Sequence, residues 1–318
     1  MAVYTQLGGE ALAELVAAYD VGALVSAKGI AEGVSNSNWL VETTRGRFIL
    51  TLYERRIDTG ELPFFLGLLD HLSAAGCAVP RTIHDRRGAA SRQVAGKHAA
   101  LIEFLPGVSP SAPTPAQARA VGAALAEVHR AARDFPLARA DRLTPADNLA
   151  VLEACGNAAL AGIDAGLPAL VEAGRGVAGH WPQHLPSSII HSDLFPDNVL
   201  MLGERVTGLI DFYFACSGMM AYDLAVAHAA WSFESAGRRY LPAIGTALVA
   251  GYESVRPLES AERAALGLLA QGACLRFVAS RAQDWLEAPR DALVQRKDPM
   301  DFARRWDFYA RQGGEVFA

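Results

Sequence analysis

The sequence predicts an α+β chain of two lobes, a small β-rich one over residues 1–105 and a larger, mostly helical one over residues 106–318. Three observations carry that prediction. Apolar residues alternate with period two in the first third of the chain, and helical periodicity dominates after residue 115. Between the two textures, residues 109–115 hold Pro110, Pro113 and Pro115, the best connecting segment in the chain. Two lobes also suit 318 residues at about 150 per domain.

The elements follow in order. Residues 9–19 (GEALAELVAAY) place Leu12, Leu15, Val16 and Tyr19 on one helical face. Residues 35–44 and 48–53 read as two strands joined at Arg45-Gly46, a turn signal. Trp39, Val41 and Thr43 share a face of the first strand; Phe48, Leu50 and Leu52 share one of the second. Residues 61–75 form a helix stopped by Gly76, with Pro80 beyond. Residues 98–104 are a further apolar strand, running out into Leu105-Pro106-Gly107. A helix over 115–133 has proline at its first position and a stripe of Val121, Leu125 and Val128. After a break at 180–186, short strands at 199–202 and 206–210 flank Gly203-Glu204. Helix then resumes near Ala221 and continues to the end. There Trp231, Phe233, Trp285, Trp306 and Phe308 sit at helical spacings, as core or pocket wall.

Composition excludes several function classes. The chain is 51% hydrophobic and 20% charged, so it can bury a large core. With 29 Lys plus Arg against 34 Asp plus Glu its net charge is −5, which argues against a nucleic-acid partner. Cys77, Cys155, Cys216 and Cys274 contain no C-x-x-C, a pattern suited to a reducing compartment rather than to disulfides or a zinc ribbon. No signal peptide and no apolar run near 18 residues is visible. The expectation is a cytoplasmic protein whose partner is a small-molecule substrate, with no nucleic acid and no membrane.

The chemistry concentrates in His191-Ser192-Asp193-Leu194-Phe195-Pro196-Asp197-Asn198-Val199-Leu200 and in Gly208-Leu209-Ile210-Asp211-Phe212-Tyr213. Asp193 and Asn198 are five residues apart, and Asp211 follows thirteen later. The first interval is similar to the H-R-D-x-x-x-x-N loop of protein kinases, with Ser for Arg. Phosphoryl transfer needs these types. One carboxylate, Asp193, accepts the proton of an attacking hydroxyl. A neutral amide and a second carboxylate, Asn198 and Asp211, supply the hard oxygen ligands magnesium prefers. A turn between two short strands would bring both metal ligands to one end of a hairpin.

HSDLFPDNVL with IDFYFAC resembles the aminoglycoside-phosphotransferase-like kinases, which implies a protein-kinase-like two-lobe fold using ATP and Mg2+. Residues 29–38 (GIAEGVSNSN) resemble that family's nucleotide-binding loop, with Gly33, Ser35 and Asn36 on the phosphate side. Glu103, Phe104 and Leu105 resemble the hinge that holds adenine. Leu125 to His129 and Tyr222 to Ala225 resemble structural helix motifs of the fold. One position departs from the pattern. Most of the family carries a Lys or Arg on the third strand, which binds phosphate and pairs with an acid on the next helix. Here that place is Thr51, while Glu61 stands at the acid position without its usual cation. The phosphate grip then falls to loop amides, Ser35, Asn36 and magnesium.

Thr51-Leu52-Tyr53-Glu54, residues 61–66 (ELPFFL), residues 191–198 and Leu275-Arg276-Phe277 through Asp284-Trp285 together resemble the homoserine kinases of this fold. The resemblance runs from Val3-Tyr4-Thr5 to the last helices. It implies transfer of phosphate from ATP to the hydroxyl of L-homoserine, a step toward threonine. Homoserine is a zwitterion, so its pocket must pair a carboxylate with a cation and an ammonium with an acid. Arg276, Ser280 and Asp284 recur every four residues on one helical face. Arg276 or Arg281 is the candidate carboxylate partner, and Asp284 the acid; Arg281 could instead form an ion pair with Asp284. Two other readings remain open at this level: a kinase of the same fold for another small alcohol (an aminoglycoside, choline or a sugar), or a nucleotide-binding pseudokinase. Other site types fail. Pro182 breaks the helix that His180 and His184 would need to bind zinc. Neither a G-x-S-x-G nor a G-x-x-x-x-G-K-[ST] occurs.

Overall fold

The computed structural model describes residues 5–30, 36–54, 58–287 and 296–317. Gly33 and Ser35 of the glycine-rich loop, and Val3-Tyr4, lie outside the described residues.

Helix α1 (Gly9–Ala17) precedes an antiparallel sheet of β1 (Leu24–Ile30), β2 (Asn36–Thr43), β3 (Gly46–Tyr53), β4 (Thr82–Ile83), β5 (Arg92–Val94) and β6 (Lys97–Glu103), with α2 (Leu62–Ala74) inserted after β3. The strand order is β1-β2-β3-β6-β4, and β5 pairs with β6. Period-two alternation sorts the two faces. Trp39, Val41, Leu50, Leu52 and Leu101 turn toward Leu12, Leu15 and Val16 of α1. Tyr53, Ala100 and Ile102 turn the other way, onto Leu62 and Leu66 of α2. The opposite side of α2 does not stay in this lobe. Phe64, Phe65, Leu68 and Leu72 join the core of the helical lobe.

That lobe contains α3 (Pro115–Ala131), α4 (Pro145–Cys155), α5 (Asn157–Ile163), α6 (Leu167–Gly179), α7 (Met220–Trp231), α8 (Pro242–Val255), α9 (Ser260–Glu287) and α10 (Met300–Gln312). Thr114 and Gln117 form a reciprocal capping box that starts α3 after the proline-rich segment. Helices α3 and α8 pack backbone to backbone. A Cβ at Gly122 would lie 2.0 Å from the Leu248 carbonyl oxygen, so only glycine fits. Helix α7 is buried along its whole length, and α9 crosses the lobe centre against α4, α7 and α10.

Two strand pairs complete the lobe: β7 (Ser187–Ile190) with β10 (Cys216–Met219), and β8 (Val199–Leu202) with β9 (Arg205–Leu209). The β7, β10, β4 and β5 strands are two to four residues long, too short for a periodic signal in sequence. The chain leaves the first lobe at Glu103 and is fastened at once. Val108 exchanges two 3.0 Å backbone hydrogen bonds with Met201 of β8.

Candidate active site

The loop carrying Asp193 is held from beneath by one buried carboxylate. Asp223, on α7, accepts hydrogen bonds from the backbone N–H of His191 and of Ser192, each at 2.6 Å. It also accepts one at 2.9 Å from Nε2 of His129, whose Nδ1 faces the Tyr252 hydroxyl at 2.8 Å. Burial alone would push the Asp223 carboxyl up, but the hydrogen bond and charge of His129 and the His191 contacts outweigh it and hold the carboxyl below its ordinary value. Ser192 has φ 69°, a left-handed conformation a serine keeps only where its surroundings impose it. Its N–H is fixed by Asp223, and its carbonyl and hydroxyl both accept from Nη1 of Arg276. His191 donates from Nε2 to the Ile210 carbonyl and accepts at Nδ1 from the Asp193 N–H. The ring is therefore a neutral Nε2–H tautomer, and its burial lowers its pKa. Trp231 donates to the Leu194 carbonyl at 2.9 Å.

On this support Asp193, Asn198 and Asp211 come together. Asn198 ends a short 3-10 turn (Pro196–Asn198) that feeds β8, and Val199 pairs with Leu209 across the hairpin. The Ile210 N–H then donates to the Asn198 carbonyl at 3.0 Å, so Asp211 emerges beside Asn198. Asp211 itself has φ 66° and ψ 55°. The Asn198 side-chain N–H donates to the Asp193 carbonyl at 2.8 Å, which leaves its amide oxygen for another ligand. Burial, opposed by Arg276 and aided by Asp211, pushes the Asp193 carboxyl up to about 7. Asp211 opens to the cleft; desolvation by the surrounding protein and the charge of Asp197 push it to about 6. Asp211 beside the Asn198 amide oxygen forms a hard-oxygen pair suited to magnesium, and a cation there would oppose the upward shifts of both carboxylates.

The first lobe offers fewer charged groups toward this site. Glu103 closes β6, its N–H bonded to the Arg81 carbonyl and its carboxylate 3.9 Å from Arg81 Nε. Arg47 lies over the Phe104 ring at 4.8 Å, and Leu105 packs against Gly208. Among the described residues Phe104 and Leu105 take no backbone hydrogen-bond partner. Asn36 is buried with Oδ1 lacking a partner among the described residues. Thr51 is buried and donates to Asn38 Oδ1 at 2.8 Å, with Tyr213 beside it and the Tyr213 hydroxyl 3.2 Å from that of Tyr53.

On the acceptor side α9 brings only some of its candidates to the loop. The Arg276 guanidinium, 3% exposed, lies over Phe214 and Phe277 with Nη2 3.6 Å from Asp193 Oδ1. Arg281 does not turn to Asp284. Its Nη1 donates to the Asp298 carbonyl at 2.9 Å and reaches Asp301 Oδ2 at 3.2 Å, while the guanidinium covers Phe302. Asp284, two turns beyond Arg276, is exposed. His180 bonds its own helix at Gly176, and among the described residues no three His, Cys, Asp or Glu cluster as a metal centre.

A sequence model for a phosphotransferase enzyme family matches residues 26–258. The chain belongs to that family. A homoserine kinase of Methylobacterium radiotolerans is 49% identical over 310 residues, covering 97% of this chain and 96% of the relative. A homoserine kinase of Xanthobacter autotrophicus is 46% identical over 313 residues, with the same two coverages. Among solved structures, a spectinomycin phosphotransferase in complex with ADP and spectinomycin has a TM-score of 0.70 at 14% identity and covers 98% of each chain. A microcompartment-associated aminopropanol kinase has a TM-score of 0.68 at 18% identity, covering 97% of this chain and 98% of its own. These two speak to the fold alone, which is the two-lobed α+β fold of the family.

Two contributors to this phosphotransferase site were not singled out as site residues by sequence reading. Asp223 was read as structural; it is so, but the structure it holds is the catalytic loop. Arg139, between α3 and α4, reaches Glu61 at 2.9 Å from a position 78 residues away. No local pattern signals a pair that distant.

Proposed function

We infer that the chain transfers the γ-phosphoryl group of ATP to the hydroxyl of L-homoserine, giving ADP and O-phospho-L-homoserine. The observation that carries this reading is the near-full-length match to homoserine kinases at 46–49% identity, over a chain that keeps Asp193, Asn198 and Asp211 together. The same clustering disfavours a pseudokinase. Residues 1–105 serve as the nucleotide-binding lobe and 106–318 as the catalytic one, and we place the enzyme in the cytoplasm.

Asp193 accepts the hydroxyl proton and orients the oxygen for in-line attack; most of the acceleration comes from positioning and charge neutralisation. Asn198 and Asp211 would hold Mg2+, which when bound neutralises phosphate charge. The backbone of Glu103, Phe104 and Leu105 receives the adenine, and Asn36 binds the phosphates, with Gly33 and Ser35 assigned to the same task by the sequence resemblance alone. Arg276 is committed to Ser192, whereas Nε and Nη2 of Arg281 have no hydrogen-bond partner among the described residues. Arg281 is therefore the better carboxylate partner, with two hydrogen bonds from its planar fork. An acid of the same neighbourhood, Asp301 by its contact with Arg281 or Asp284 by sequence, faces the ammonium.

The test compares L-homoserine with 3-aminopropanol, which lacks the carboxylate, by ADP release. A site that pairs the carboxylate rejects the analogue by roughly 10²-fold or more in kcat/KM, because the hydrogen bonds from the free arm of the guanidinium to the carboxylate are lost. Equal kcat/KM for both would overturn the homoserine reading.

A further inference from the structure

Glu61 stands where the family's acid meets a third-strand cation, yet β3 offers Thr51. Its cation comes from the other lobe. Arg139 Nε donates to Glu61 Oε2 at 2.9 Å, and Arg142 approaches Oε1 at 3.6 Å from a far more exposed position. Arg139 is held on both sides. Its Nη1 donates to the Ala215 carbonyl at 3.1 Å, and its own carbonyl accepts from the Ser217 N–H at 2.7 Å. Ala215 lies four residues after Asp211, and its N–H is turned back to the Phe212 carbonyl at 2.9 Å. The Arg139 guanidinium also lies 5.2 Å from the Phe65 ring centre, and Phe65 packs edge-on against Tyr213 at 5.6 Å. Arg139 thus touches the start of α2 and, at Ala215 and Ser217, the far end of the segment that follows Asp211. Both partners are about one-fifth exposed, so water screens this pair less than it screens a surface pair.

We propose that Arg139 is a positioning residue. Supplied by the helical lobe, it replaces the strand cation as partner of Glu61 and sets α2 against the Asp211 segment. In this arrangement Glu61 does not aim a phosphate-binding lysine. It fixes the distance between the nucleotide lobe and the metal-binding carboxylate, so its contribution is to closing the site on Mg-ATP rather than to holding the acceptor. The proposal rests on the kinase reading above, though not on the identity of the acceptor.

A double-mutant cycle on the full chain tests it, with Arg139→Gln, Glu61→Gln and the double variant. Each single variant should lower kcat/KM for Mg-ATP by roughly tenfold or more, the order of one hydrogen bond to a charged group, with KM for the alcohol within about twofold. The double variant should be no worse than the weaker single, and Arg139→Lys, which keeps the charge, should recover part of the loss. Additive losses, or equal rises in the KM of both substrates, would reduce the pair to ordinary packing and overturn the proposal, as would unchanged kinetics. Should a single variant unfold, the exchanged pair Glu61→Arg with Arg139→Glu decides: recovered activity supports the coupling, and continued inactivity overturns it. Wild-type turnover of L-homoserine is measured alongside. A wrong acceptor shows there, in the unaltered enzyme, and the cycle is then run with whichever alcohol is accepted.

Discussion

Around Asp193 nearly every polar group of the loop is gripped by a buried side chain, with Asp223 below, Arg276 beside it and Trp231 behind. Across the cleft Thr51 and Asn36 are neutral, and the hinge offers backbone amides. The difference teaches where this molecule needs rigidity. Under the proposed mechanism proton acceptance and metal coordination tolerate little displacement, and their carboxylates sit on a backbone that includes two left-handed residues, Ser192 and Asp211. A nucleotide brings its own charge and its own cation, so its lobe can bind it largely through main-chain groups.

Substitutions can break this contrast, and the largest effect falls on the gripped side. Asp193→Asn should lower kcat by roughly 10²–10⁴-fold with ATP affinity little changed. Steady-state kinetics beside nucleotide titration checks this, and near-wild-type turnover would remove the proton acceptor from the scheme. Asp211→Ala should cost roughly 10³-fold in rate and, unlike the first variant, abolish the magnesium dependence of ATP binding. Calorimetry with and without the metal distinguishes that from a loss of stability alone.

Asp223→Asn tests the grip itself. Breaking a buried, multiply bonded carboxylate should destabilise the fold by about 3–5 kcal/mol, read as a shift in the urea midpoint. The pH dependence has a definite sign. Because the folded carboxyl lies below its ordinary value of 3.8, it stabilises the fold at pH values above about 4. That contribution fades as the pH falls through the folded value. The variant should therefore show a shallower loss of stability in acid than the wild type; parallel curves would contradict the assignment. Thr51→Ala should have the smallest effect, about 0.5–1.5 kcal/mol of stability and little in kcat/KM, since one neutral hydrogen bond to Asn38 is lost. A loss of orders of magnitude would show that the hydroxyl has become the phosphate anchor, and would erase the contrast between the two sides.

The same contrast explains what could be read in advance. The clustering of Asp193, Asn198 and Asp211 was legible because a tight turn and a short hairpin fix their spacing within twenty residues, and β2 and β3 were legible because period two and a turn signal are local. Arg276 was legible as important but not in its contact. Helical spacing grouped it with Ser280 and Asp284, whereas α9 emerges from the core along its length. Arg276 is buried at Ser192 while the other two are exposed. Arg281 finds its acid on the next helix rather than three residues along its own. The Arg139–Glu61 pair and the Asp223–His129 pair join residues 78 and 94 apart, and only tertiary packing determines such partners.

The double backbone bridge between Val108 and Met201 has a mechanical consequence. Because the connection is stapled to the helical lobe at Val108, relative rotation of the two lobes concentrates in the stretch just before it, Phe104 to Gly107. They include Phe104 and Leu105, whose backbone we propose receives the base. On that proposal the pivot of the molecule and its adenine seat are one short piece of chain, and a ligand that fills the seat also stiffens the axle.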